Sequence, residues 1–246
     1  MGKTYEALKQ AEREHQVGRQ APAPGRTPRG RLPKRASDST TMERYQDLKT
    51  NILTRYPDES IKVILFTSTA HGDGSTTTAL NFATTMARDC KLKVLLVDIN
   101  LRTPCLHEVF KIGKTPGLSD ILTNAGKMAS SVQKVGPANL HALTSGGDHS
   151  GPVGLFESSQ FDQFLKAMRE KFDYVILDAP PAPAFSEARV MCSKVDGVVV
   201  VVESGKTRRQ VALKVKKQLE EAGGKILGIV LNKQRYYIPD FIYRRL

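Results

Sequence analysis

Three short segments of the chain carry residue types suited to a phosphorylated ligand, and the first is Thr67-Ser68-Thr69-Ala70-His71-Gly72-Asp73-Gly74-Ser75-Thr76-Thr77-Thr78. An apolar run precedes it, and a helix-forming stretch containing Asn81 and Phe82 follows. A strand, a glycine-bearing loop and a helix N-terminus together make an anion cradle, because unpaired backbone N–H groups and the helix dipole both face the loop. Gly72 and Gly74 permit the backbone turns that such a loop requires. Asp73, Ser75 and Thr77 complete the main chain that would wrap a phosphate, and Thr76 stands where a P-loop hydroxyl would bind Mg²⁺. In a P-loop the residue just before that hydroxyl is lysine; here it is Ser75. Read alone, the segment fits an uncharged phosphate loop and also a Gly/Ser/Thr turn that caps a helix.

The other two segments are acidic. Lys93-Val94-Leu95-Leu96-Val97-Asp98-Ile99-Asn100-Leu101-Arg102 sets a carboxylate at the end of an apolar run. Phe172-Asp173-Tyr174-Val175-Ile176-Leu177-Asp178-Ala179-Pro180-Pro181 does the same. Either aspartate alone reads as a strand-end cap. Both together, after a phosphate loop, could hold Mg²⁺ and orient or deprotonate a nucleophile.

The elements that must position these residues follow from hydrophobic periodicity. Apolar, β-branched runs at Ile61–Phe66, Val94–Val97, Leu140–Leu143, Tyr174–Leu177, Val198–Val202 and Ile226–Leu231 predict strands. Helical patterns lie between most of them, at Ala79–Arg88, Ser158–Lys171 and Thr207–Ala222. Continuous apolar strands joined by helical crossovers predict a three-layer α/β fold, a mainly parallel twisted sheet covered on both faces. Ligands of such sheets bind at the carboxyl ends of the strands, which is where the three polar segments fall.

Before this body, residues 3–15 hold Tyr5, Leu8 and Ala11 at helical spacing, so residues 1–15 are read as a short amphipathic helix. Residues 16–40 are rich in Pro, Gly, Arg and Ser, and this composition predicts a disordered basic linker. The domain proper is read as 41–232 and a Tyr/Arg-rich tail as 233–246. Of the net charge of +12, residues 16–40 carry +5 and residues 233–246 carry +3. The body is therefore only mildly basic, and no specific nucleic-acid-binding face is implied. No apolar run approaches the ~18 residues that span a bilayer. The first residues lack the apolar stretch of a secretory signal. The three cysteines (Cys90, Cys105, Cys192) and five histidines show no disulfide or metal spacing, and a cytoplasmic location is the expectation.

The order of these motifs resembles the bacterial tyrosine autokinases, P-loop NTPases of the MinD/ParA-like deviant-Walker class that serve polysaccharide co-polymerase systems. Further matching pieces are Tyr45-Gln46-Asp47-Leu48-Lys49-Thr50-Asn51, Pro116-Gly117-Leu118-Ser119-Asp120-Ile121-Leu122, Asp196-Gly197 and Leu231-Asn232. The likeness spans residues 41–246. It implies ATP and Mg²⁺ as cofactors, with Thr76 and Asp178 serving the metal. Asp98 would serve the metal or act as base for a tyrosine hydroxyl, and Asn232 would lie against the adenine. It also implies a phosphoacceptor tail, here Tyr236, Tyr237 and Tyr243. A terminal element docking those rings on the body reads equally well. The implied partner is a membrane-anchored polysaccharide co-polymerase (chain-length determinant) protein at the inner face of the bacterial membrane.

Three positions depart from the family pattern. Ser75 replaces the phosphate-loop lysine, Asn100 replaces the second acid of an Asp-x-Asp pair, and the Glu-x-x-Arg-x-x-Arg pattern of homo-oligomers reads Glu43, Gln46, Lys49. Loss of the lysine removes a charge-assisted contact worth ~1.5–3 kcal/mol in the ground state. Three functions stay open: an autokinase with weakened or absent phosphoryl transfer, a non-catalytic nucleotide-sensing scaffold, and a MinD/ParA-like positioning ATPase.

Overall fold

The structure, a computed structural model, describes residues 39–57, 61–89, 92–123, 128–136, 139–147 and 151–234. These all lie in the compact unit Leu32–Leu246. The helix expected over residues 3–15, the linker up to residue 38 and Tyr236, Tyr237 and Tyr243 fall outside the described residues.

Six strands occur where the apolar runs predict them: β1 (Val63–Ser68), β2 (Val94–Asp98), β4 (Leu140–Leu143), β5 (Tyr174–Asp178), β6 (Gly197–Glu203) and β7 (Ile226–Asn232). A two-residue strand, β3 (Gln133–Lys134), is too short to leave a periodic signal. The sheet order is β3-β4-β2-β5-β1-β6-β7. β3 pairs antiparallel with β4, and the other neighbours are parallel. Every residue of β1 and β2 is buried, as expected for central strands covered on both faces. The apolar run at β7 departs from that expectation. β7 is an edge strand whose Leu227 is buried while Ile229 and Leu231 are exposed.

Two apolar layers flank the sheet. On one face Val63, Leu65, Leu95, Val97, Val175 and Leu177 pack with Phe161, Phe164, Leu165 and Met168 of α7 (Ser159–Lys171) and with Val215 and Leu219 of α9 (Arg209–Glu221). Ser158 starts α7 by accepting from the Phe161 amide at 3.3 Å. On the other face Ile64, Phe66, Leu96 and Ile176 pack with Leu80, Phe82, Ala83 and Met86 of α2 (Ser75–Asp89) and with Ile52 of α1 (Ser39–Arg55). The Phe66 and Phe82 rings lie 5.4 Å apart. α1 includes Ser39 and Thr40, which fall inside the stretch read as linker. The short helices α3 (Leu106–Phe110), α4 (Leu118–Thr123), α5 (Met128–Ser131), α6 (Pro152–Glu157) and α8 (Glu187–Cys192) carry the connections.

Asp196 ties the start of this sheet together. Its Oδ2 accepts from the amides of Lys62 and Val63, both at 2.8 Å, and from Arg169 Nη1 at 2.6 Å. Burial pushes the carboxyl upward, but the Arg169 hydrogen bond and the two amides outweigh it, so its pKa falls below the ordinary value. A depressed folded pKa adds stability above the ordinary carboxylate value of about 4, and that stability is lost as pH falls through the folded value. Asp196→Asn is therefore expected to lower stability by about 1–3 kcal/mol at pH 7. Urea melts of both proteins should show the gap closing below about pH 4; a gap unchanged at low pH would remove this role for the charge.

Candidate functional site

The phosphate loop is shorter than the sequence suggests. Thr67 and Ser68 complete β1 and Ser75–Thr78 already belong to α2, which leaves Thr69–Gly74 as the turn. Gly72 and Gly74 have φ of +87° and +96°, a region that L side chains resist. A Cβ on Gly74 would also meet Asn232 Nδ2 at 2.2 Å. The Thr78 amide donates to Gly74 O at 2.9 Å as the first intrahelical bond, so the amides before it are the orphan donors of a helix start. Ser75 is buried at that start, and Thr76 and Thr77 are half-buried behind it.

Asp73 faces into the turn. Its Oδ2 accepts from Thr69 N at 3.1 Å, Thr69 Oγ1 at 2.5 Å and Ala70 N at 2.9 Å. The carboxylate therefore fixes the loop's shape and is buried. Asn232, at the end of β7, donates from Nδ2 to Asp73 O at 2.8 Å. The next residue, Lys233, has φ of +54° and donates from Nζ to Gly72 O and, at 3.1 Å, to Glu203 Oε2. The sequence reading missed Lys233, because only the folded sheet brings β7 beside a loop 161 residues away.

Asp98 and Asp178 are brought together. They are register partners at the ends of β2 and β5, and both are buried. Asp98 Oδ2 accepts from the amides of Cys105 and Leu106, each at 3.0 Å, and Oδ1 accepts from the Asn100 amide at 3.2 Å. Burial still dominates these bonds and the Lys114 charge, so the Asp98 carboxyl is pushed up to about 6. Asp178 is pushed well above the usual range by burial and then by Asp98, and a hydrogen bond with Thr76 offsets part of this. Asp178 Oδ1 is buried without a hydrogen-bond partner. A buried carboxylate pair with an orphaned oxygen and a hydroxyl alongside fits a hard divalent cation, which takes oxygen ligands and supplies the missing charge.

The Asn100 side chain turns away from that pair, although its amide bonds Asp98: its Oδ1 accepts from Thr103 N at 3.1 Å and its Nδ2 donates to Thr103 Oγ1 at 3.0 Å. Glu43, Gln46 and Lys49 lie along α1, the first two exposed. Cys105 was legible only as an isolated cysteine. Burial first, then Asp98 and Asp178, push its thiol far up, so it stays protonated. Arg102, Phe185 and Glu187 form a further group. Arg102 Nε donates to the buried Glu187 Oε1 at 2.9 Å, and its guanidinium lies over the Phe185 ring at 5.0 Å. Phe185 meets the His71 ring of the phosphate loop edge-on at 5.6 Å.

The raised Asp178 carboxyl opposes folding without a bound cation. A folded pKa above the unfolded value means that stability falls as pH rises between the two and stays reduced above the higher one. Asp178→Asn should therefore raise the melting temperature without ligand at pH 7 by about 2–4 °C for each kcal/mol relieved. The same change should have little effect near pH 4. A variant that melts lower than the parent at pH 7 would contradict the charge argument.

A family profile described as an AAA domain matches residues 61–210. The chain is 34% identical over 197 residues to the tyrosine-protein kinase YwqD of Bacillus subtilis, covering 80% of this chain and 83% of that protein. It is 33% identical over 192 residues to the tyrosine-protein kinase CpsD of Streptococcus pneumoniae, covering 78% and 83%. Its fold is similar to the crystal structure of the chimerical protein CapA2B2, with 31% identity, a TM-score of 0.75 and coverage of 79% of this chain and 85% of that one. The septum site-determining protein MinD of Pyrococcus horikoshii, solved with Mg-ADP, shares the fold at 22% identity and a TM-score of 0.60, with 75% and 76% covered. Among the described residues no helix is long and apolar enough to cross a membrane. At 34% and 33% identity over most of both chains, this chain belongs to the bacterial tyrosine-protein kinase family.

Proposed function

We propose that the chain binds ATP with Mg²⁺ at the Thr69–Gly74 loop and the start of α2, and that its phosphoryl transfer is weakened because Ser75 replaces the loop lysine. The observation that carries this reading is the arrangement of Thr76, Asp98 and Asp178 beside a loop that offers backbone donors and no ammonium. Gly72, Asp73, Gly74, Ser75, Thr76 and Thr77 contribute main chain to the phosphates, and Asn232 stands at the side where the adenine would lie. Thr76 and Asp178, together with Asp98, would hold the metal. The bound cation would screen charge that builds up on the phosphates.

In the kinase reaction the tyrosine oxygen takes the terminal phosphoryl group, ADP leaves, and the hydroxyl proton passes to Asp98. The tail tyrosines Tyr236, Tyr237 and Tyr243 are the acceptors in this reading. The family resemblance supports a membrane-anchored polysaccharide co-polymerase as partner, recruitment to the inner face of the membrane, and self-association weaker than the arginine pattern would give. The same uncharged loop also favours a second reading, a scaffold that senses nucleotide without transferring phosphate. A positioning ATPase draws support from the shared fold alone.

Purified chain incubated with Mg-ATP should show little tyrosine phosphate by mass spectrometry, and Ser75→Lys should raise it at least about tenfold, the size of one charge-assisted contact. Equal phosphorylation of parent and variant would refute the weakened-kinase reading. Phosphate absent from both, with nucleotide still bound, would leave the scaffold.

A further inference from the structure

With Ser75 in place of the loop lysine, the buried carboxylates Asp98 and Asp178 stand within two strands of a loop that supplies no ammonium of its own. Among the described residues, Lys233, Lys114 and Arg102 are cations on segments next to it. Lys233 lies on the β7 side, with Nζ already engaged by Gly72 O and Glu203. Lys114 acts through space on Asp98, the carboxylate whose oxygens hold the start of α3. Arg102 follows Asp98 by four residues, so it leaves β2 at the end where Thr76, Asp98 and Asp178 gather. That is the side on which a metal, and with it a terminal phosphate, would sit.

The arginine is held ready for an anion. Glu187 takes its Nε at 2.9 Å, and among the described residues neither Nη has a hydrogen-bond partner. The guanidinium rests on the Phe185 face at 5.0 Å, and the same ring meets His71 of the loop edge-on at 5.6 Å. The side chain remains 47% exposed, whereas its Glu187 partner is 2% exposed and keeps a second oxygen, Oε2, buried and unpaired. A buried acid that anchors one edge of a guanidinium leaves the fork of donors for an incoming phosphate.

We propose that Arg102 supplies the positive charge that the loop lysine would have given, contacting the terminal phosphate of a bound nucleoside triphosphate, with Glu187 and Phe185 as its positioning residues. The assignment rests on the nucleotide reading above. It parallels the way an arginine supplied in cis serves other phosphoryl-transfer sites. A cation from another segment restores charge at the site without restoring the lysine's geometry, so binding recovers more fully than transfer.

Calorimetric titration with Mg-ATP and Mg-ADP tests this in the full chain. Arg102→Ala should weaken ATP about tenfold, equivalent to about 1.4 kcal/mol, while changing ADP less than about twofold. Because Arg102→Ala strands a buried Glu187, the double variant Arg102→Gln, Glu187→Gln provides a second measurement with the pair removed together. In a Ser75→Lys background the same Arg102 changes should cost ATP less than about threefold, since the charge is then supplied by the loop. Equal losses of ATP and ADP, or an undiminished loss in the Ser75→Lys background, would show that Arg102 only braces Glu187. If the parent binds ATP and the Arg102 variants bind it as well, this assignment alone falls. If neither the parent nor Ser75→Lys binds any nucleotide, the nucleotide reading falls and takes this one with it.

Discussion

Two carboxylates meet at the middle of the sheet because β2 and β5 run parallel in a register that sets Asp98 opposite Asp178. Both are buried, so water cannot screen one from the other. The pair must be relieved by a proton or by a cation, and much of the surrounding structure answers that demand. The amides of Asn100, Cys105 and Leu106 converge on Asp98 and thereby fix the entry to α3. Thr76 reaches Asp178 from the first turn of α2. β1 pairs with β5 so that Phe66 lies beside Asp178, which sets the phosphate loop one strand from the carboxylates.

Against that background Ser75 shifts the electrostatics more than the shape. The glycine turn and the helix start still present N–H groups and the positive end of the dipole, worth roughly half an elementary charge. The charge that the loop's own side chains add is that of Asp73, whose Oδ2 is turned inward onto Thr69 and Ala70 while Oδ1 stays buried without a partner. Positive charge arrives instead from distant segments, from Lys233 beyond β7 and from Arg102 beyond β2. Charges delivered by separate elements depend on the sheet for their position. A family fold can therefore persist while the balance between holding a nucleotide and using it moves.

Much of the fold is legible because central strands buried on both faces leave uninterrupted apolar runs, as at Val94–Val97 and Val198–Val202. The same rule misread β7, since an edge strand with exposed Ile229 and Leu231 has the same composition as a buried one. α1 and the short connecting helices escaped the reading for another reason: four- to six-residue helices offer too few turns for a period to emerge, and α1 begins within a polar stretch.

The amino-acid sequence by itself determined the class of fold, the place of the phosphate loop and the two aspartates at strand ends, because each is a local pattern of spacing and residue type. Only the tertiary structure decided which way those groups face and what they touch. Asp73 closes its own loop, Asn232 braces that loop across 159 positions, and Glu187 with Phe185 holds Arg102. Such partnerships follow from sheet order and strand register. A hydrogen bond between distant segments is chosen by where the backbone sets the two ends, and no run of neighbouring residues encodes that.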